Sequence, residues 1–419
     1  MTPKEYLSRL PLTDRITFVI EMWSAVTYGV FSGLALPLIS IVARRIGMSP
    51  AGITAMVTMQ FVGALFGIFI GHLADTRAKM PLAVWPPLIS RASLVFLAFA
   101  RTPGFYLVVV SLFNLFSNVS SPAYSSIMRT NYSNANRGRL MGNIRIVIVV
   151  VSTLCSTLAG ILLARNEKSV HWLFATASVF GVASSIVFAR IRVRRGPGLP
   201  AGAASVSFVK SARIVRRNVP YMLFMGIMFL CAFGDKFAIP LEPIWLVDTL
   251  KVGYGDASFL LGSVVSLVSI VGYFVWARAL KRFNSFAVLS CVVFVYAARF
   301  ASLAVARSSS QLLPMCICSG LSNAGWDLVP LFCMIALAEP ANFSLYIGFN
   351  TTLYGVRGLI GPWIGTALYT SGALSIRSIF WMITAIIACG GGVLLAFSFR
   401  LRRRAPVKGG VSYEGSAGE

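Results

Sequence analysis

Four ionisable residues stand inside long apolar runs of this chain and close to one depth: Asp235, Lys236, Asp327 and Arg357. Counted along helices, Asp327 and Arg357 fall roughly 15 to 18 Å from one charged flank, with Asp235 and Lys236 within about 6 Å of that layer. A charged side chain among apolar neighbours costs about 2.5 to 3.5 kcal/mol on insertion scales, so each one needs a partner, a watery cavity or a role. Whether such a carboxylate holds a proton depends on the cation beside it. The chemistry on offer is proton exchange tied to making and breaking ion pairs. Adjacent residues on a helix point about 100° apart, so Asp235 and Lys236 are expected to serve different partners. We expect Asp327 to pair with Arg357 or Lys236, leaving Asp235 freer to titrate. Asn118 and Asn323, with Trp326, Tyr124 and Tyr28, are candidates for a polar and aromatic pocket.

Other charges in the runs read differently. Glu21 and Arg145 stand about five residues inside their runs, shallow enough to snorkel to the interface. Arg91 and Arg299 are mid-run and symmetrically placed, which favours a packing role.

The elements that must position these residues follow from composition. With 57% hydrophobic and 12% charged residues and a mean hydropathy of +0.78, the chain has too little polar surface for a water-soluble globule of 419 residues. The apolar runs are about 20 to 28 residues long, which spans a bilayer as helix and is too long for a barrel strand. Twelve runs are expected, the first near 16–43 and the last near 378–399. The first is longer than a secretory leader and carries Glu21, so it is expected to be retained.

The runs fall into two similar halves offset by about 205 residues. Tyr28-Gly29 answers to Phe233-Gly234, Ser117-Asn118 to Ser322-Asn323, Pro122 to Pro330 and Met141-Gly142 to Ile347-Gly348. The expected fold is an all-α membrane protein of two pseudo-symmetric six-helix bundles, 1–190 and 219–400. A basic linker at 191–218 joins them and a tail at 401–419 follows.

Net charge is +24, but the charges are one-sided. Most of the 37 Lys and Arg fall in segments that share one side of the membrane, eight of them between 190 and 217. By the positive-inside rule that side is cytoplasmic, with both termini. The linker cations suit anionic lipid headgroups as well as setting topology, and nothing here asks for nucleic acid. All seven cysteines lie inside runs, so no disulfide framework is implied. Two histidines and no clustered ligands make a metal site or other cofactor unexpected. No phosphate-binding loop is present in the sequence, so no ATPase is recognisable and any pumping must draw on an ion gradient.

Between the second and third runs the chain reads Gly71-His72-Leu73-Ala74-Asp75-Thr76-Arg77-Ala78-Lys79. This resembles the signature loop of the major facilitator superfamily, with Thr76 and Ala78 departing from its usual Arg and Gly. The resemblance implies a transporter whose halves rock about a central site. It also implies that Gly71, Asp75, Arg77 and Lys79 form a gating loop in which Asp75 caps a helix of the other half when the cytoplasmic side is shut.

The expected activity is therefore secondary transport of a small organic solute by alternating access, proton-coupled, by a monomer in a bacterial inner membrane. It is not expected to be an enzyme. Five intramembrane cations against three acids lean the cargo towards an anionic group. An exporter of drugs or hydrophobic metabolites is the chief alternative, although the fifth run lacks the Gly-Pro pair common in such exporters. A non-transporting sensor or assembly factor is another. Gly63, Gly67 and Gly71, and Gly361 with Gly365, recur every four residues, as close helix packing requires. Pro240 and Pro243 are expected to interrupt the seventh run beyond Lys236.

Overall fold

The computed structural model describes residues 11–76, 79–193, 215–338 and 343–404, with the side chains of 66–76, 122, 129, 134–135, 343–345, 348 and 401–404 left aside. Among the described residues all regular structure is helical. The α-helices are α1 (Leu12–Ala35), α2 (Ile39–Arg45), α3 (Pro50–Thr76), α4 (Lys79–Ser93), α5 (Pro103–Ser117), α6 (Ser121–Asn131), α7 (Asn134–Arg165) and α8 (Val170–Phe188). They continue as α9 (Val219–Cys231), α10 (Gly234–Ile244), α11 (Tyr254–Ala257), α12 (Val265–Arg282), α13 (Ser285–Val305), α14 (Leu313–Leu337), α15 (Phe343–Thr370) and α16 (Ile376–Arg404).

Nine helical segments among the described residues are long and apolar enough to cross a bilayer, and Pro50–Leu65 and Pro103–Ser117 are shorter apolar helices. Apolar side chains such as Trp23, Phe99, Trp172, Phe274 and Phe399 face outward. An outer surface of this kind is stable against lipid and unstable against water.

Among the described residues three helical segments are broken, and each break has a local cause. Pro37 has no N–H and its ring crowds the carbonyl four residues earlier, so α1 stops at Ala35 and α2 starts at Ile39. Likewise α5 stops at Ser117 and α6 starts at Ser121, with Pro122, which has no N–H to extend the earlier ladder, in the first turn of the new helix. The third break falls at Ala232 and Phe233, between α9 and α10. Pro240 and Pro243 therefore do not interrupt the seventh run: both lie inside α10, and the break sits earlier, before the helix-weak Gly234. A π-helical turn, Trp245–Thr249, follows α10 instead.

Helices α1, α7 and α8 pack together and α4 and α5 complete their group with α3; α13 packs on α14 and α16, and α12 on α14. The two groups meet where α15, itself packed on α10, lies along α3, and where α7 lies along α11 and the turn Ser258–Val264. Small residues permit this approach. A Cβ at Gly365 would overlap the backbone of Phe237, and one at Gly358 would overlap the ring of Phe61. Overpacking of such a contact costs about 1 to 3 kcal/mol. Gly365→Leu should therefore lower the thermal unfolding midpoint of the purified protein, whereas Gly104→Leu, in open space, should leave it unchanged.

Candidate functional site

The break between α9 and α10 creates two helix ends inside the apolar layer, and opposite charges occupy them. Asp235 stands in the first turn of α10, where the helix dipole is positive. Arg357 on α15 donates from Nη1 to the Met228 carbonyl near the end of α9, at 3.1 Å, where the dipole is negative. Lys236 donates to Asp235 Oδ2 at 2.8 Å and the Tyr296 hydroxyl donates to the same oxygen at 2.9 Å. Lys236 also lies over the rings of Phe61 and Tyr354, at 5.5 and 5.2 Å. Phe61 belongs to the first group of helices, so this buried pair touches the boundary between the groups.

These contacts correct the expected pairing. Lys236 turns to its own neighbour because its four-carbon stem folds back, which the 100° between backbone directions does not forbid. Arg357 takes a carbonyl rather than Asp327. Asp327 instead accepts from Arg145 Nη2 at 2.8 Å and from the Tyr273 hydroxyl at 2.5 Å, with both partners of the ion pair about half exposed.

Arg145 is not interfacial. Helix α7 starts at Asn134, several residues before the apolar run, so Arg145 stands about 16 Å along it. Glu21 is not interfacial either: it is 3% exposed, accepting from the Tyr124 hydroxyl at 2.5 Å and from that of Tyr132. Arg91 donates to Ser184 and Ser185 hydroxyls, both at 3.0 Å, and lies over the Tyr28 ring.

Sequence reasoning missed Glu242. It stands between the prolines of α10 and receives both of its bonds from Arg299 Nη2, at 2.7 and 2.5 Å, while Arg299 Nε donates to Ser319. Its signal was available, since it is an acid in an apolar run. Tyr296 and Tyr273 gave no such signal, because a tyrosine in a membrane helix is unremarkable by type.

The expected pocket residues divide between cavities. Glu21, Tyr28, Tyr124, Arg91 and Arg145 line one of about 270 Å³. Tyr28 and Asn118 line a neighbour of about 260 Å³ with Gln60 and Asn114. Asp235 and Asn323 line a third of about 380 Å³ with Glu242, Arg299 and, from α2, Ser40. Trp326 lines none of the three and packs edge-on against Tyr296. Of the gating-loop residues, the side chains of Gly71 and Asp75, and Arg77 altogether, lie outside the described residues, as does most of the linker; Lys79 opens α4.

At one end of the molecule the two groups of helices are tied by charge. Arg44 on α2 binds Asp248 through Nε, at 3.0 Å to each carboxylate oxygen, and through Nη2. Arg45 donates to Glu167, to the Val252 carbonyl at 2.8 Å, and lies 4.2 Å from the Tyr254 ring centre. Deeper on the same side Thr54 bonds Thr366 at 2.5 Å, and Ser156 bonds Ser263 at 2.9 Å.

A family profile described as the Major Facilitator Superfamily matches residues 22–234. The chain belongs to that superfamily of membrane transporters, and it is an integral, multi-pass membrane protein. In fold it is similar to a crystal structure of the nucleoside transporter NupG, with TM-score 0.71 and 14% identity over 91% of this chain and 99% of that one. An auto-inhibited POT family peptide transporter gives 0.70 and 14% over 97% and 99%. A bacterial homolog of the human lysosomal transporter Spinster, inward-facing and unoccupied, gives 0.64 and 13% over 94% and 98%. One curated relative, NADH-quinone oxidoreductase subunit N of Paenibacillus sp. (strain JDR-2), is 22% identical over 326 residues. That alignment spans 75% of this chain and 60% of the relative, so the chain covers less than two thirds of its length.

Removing one partner of a buried ion pair strands the other at a cost of about 3 to 5 kcal/mol, while removing both is far milder. Glu242→Leu alone should therefore destabilise the protein strongly, and adding Arg299→Leu should recover most of the loss. Equal melting points for the single and double variants would contradict the pairing.

Proposed function

We propose that this chain is a secondary active transporter that moves a small organic solute by alternating access. Its twelve passes form two six-helix bundles, 1–190 and 219–400, joined by the linker 191–218. The observation that carries the reading is the ionic closure at one end. Arg44 holds Asp248 and Arg45 holds the Val252 carbonyl across the two bundles, whereas the central pair of Arg145 and Asp327 is about half exposed. Contacts of this type stabilise one shape of a two-state molecule and must open for the other.

By the distribution of Lys and Arg the closed end is external and both termini are cytoplasmic, in the inner membrane of a bacterium. The Gly71, Asp75, Arg77 and Lys79 loop would then latch the opposite end in the alternate shape. Proton coupling is proposed because the layer between the bundles holds carboxylates within hydrogen-bonding networks. Anionic lipids would meet the linker cations, and the protein would act as a monomer.

With Glu242 included, the intramembrane cations outnumber the acids by one, and three of them are paired with acids. Little positive charge remains to favour an anion. The similar structures are titled for nucleoside and peptide transport, so both classes belong in a trial.

The test is exchange of a labelled nucleoside, dipeptide and organic anion in liposomes, using a cysteine-free background with Arg44→Cys and Asp248→Cys. We expect at least one solute to exchange, cross-linking of the pair to stop it, and reductant to restore it. Exchange that continues with the pair locked would contradict alternating access, and no movement of any solute would favour a sensor.

A further inference from the structure

Of the carboxylates set within the apolar helices, three already have a cation. Asp235 has Lys236, Glu242 has Arg299 and Asp327 has Arg145. A proton arriving at any of these leaves a cation without its counter-charge, which is costly where water is scarce. Glu21 is different. Among the described residues no Lys or Arg forms an ion pair with it, and its partners are the hydroxyls of Tyr124 and Tyr132. A proton arriving there strands nothing.

Glu21 also lines a cavity of about 270 Å³, roomy enough for water, with Ser24, Tyr28, Arg91 and Arg145. The charged and titratable groups around it come from each packed element. They are Tyr124 from α6, Tyr132 just beyond α6, Arg145 from α7 and Arg91 from α4; α8 contributes Ser184 and Ser185. Asp14, seven residues back on α1, is engaged by Ser133 and Asn136.

We propose that Glu21 is the residue that binds the coupling proton, with Tyr124 and Tyr132 as partners that reverse when it does; this rests on the carrier reading above. As a carboxylate Glu21 accepts both phenolic protons. As an acid it has an O–H of its own to donate, so one tyrosine must turn to accept. Tyr124 lies in the first turn of the half-helix α6 that follows the break at Asn118, and Tyr132 caps its far end. Proton binding therefore alters the tie between α1 and α6, and with it the hold of the first bundle on its broken pass.

Infrared difference spectroscopy on the protein in lipid bilayers, with pH as the only variable, tests this without a cargo. The wild type should gain a carboxylic-acid carbonyl band on acidification that is lost in Glu21→Gln and kept in Asp235→Asn and Asp327→Asn. Tyr124→Phe and Tyr132→Phe should move the band's frequency, and Glu21→Asp should retain a displaced band, which guards against misfolding of the Gln variant. Persistence of the band in Glu21→Gln, or its loss in Asp235→Asn instead, would overturn the proposal. Gradient-driven uptake that survives Glu21→Gln would overturn the coupling role and leave the carrier reading intact. If no variant moves any solute, the carrier reading falls, and the band alone decides whether Glu21 binds the proton.

Discussion

Charge cannot be left alone in an apolar layer, and the architecture follows from how each ion is answered. The costs involved are several kcal/mol per unpaired group, comparable with the net stability of a whole domain. The break between α9 and α10 is the clearest case. It opens two helix ends, and the chain places Asp235 at the positive one and Arg357 at the negative one. Lys236 and Tyr296 then both donate to one oxygen of that carboxylate, Oδ2. A broken helix that would otherwise expose backbone polar groups to lipid becomes a polar centre whose wall reaches the opposite group of helices through Phe61.

Two kinds of contact join the two groups of helices, and they differ in what they permit. Glycine-mediated contacts such as Gly355 on Leu65 and Gly358 on Phe61, between α15 and α3, are apolar and close; surfaces of this kind can roll without losing much energy. The Arg44 and Arg45 contacts are directional and confined to one end. They hold only over a short range of distances, so opening that end removes them all together. A molecule with rolling contacts in the middle and breakable ones at an end is suited to two shapes.

The membrane class, the helical character and the positions of most intramembrane charges were readable from residue types, because burial of apolar runs and the rarity of charge within them are properties of composition. Partners were not. Depth along a helix is one coordinate, and pairing also needs the direction around the axis and the true start of the helix. Arg145 shows the second failure: α7 begins before its apolar run, which carried Arg145 from the expected interface to the layer of Asp327. Lys236 shows the first, since flexibility of its stem outweighed the angle between neighbouring residues. Prolines misled in one place. Pro37 and Pro122 accompany breaks, while Pro240 and Pro243 are absorbed inside α10, where the π-helical turn that follows adjusts the backbone.

The central claim is that closure of one end and opening of the other are a single motion. Spin labels at Lys168 and Ser371 report the end held by Arg44, and labels at Arg190 and Arg282 report the opposite end. With Asp248→Asn weakening the tie, the account requires the first distance to lengthen and the second to shorten in the same sample. Distances that stay fixed at both ends, or that change in the same direction, would contradict it.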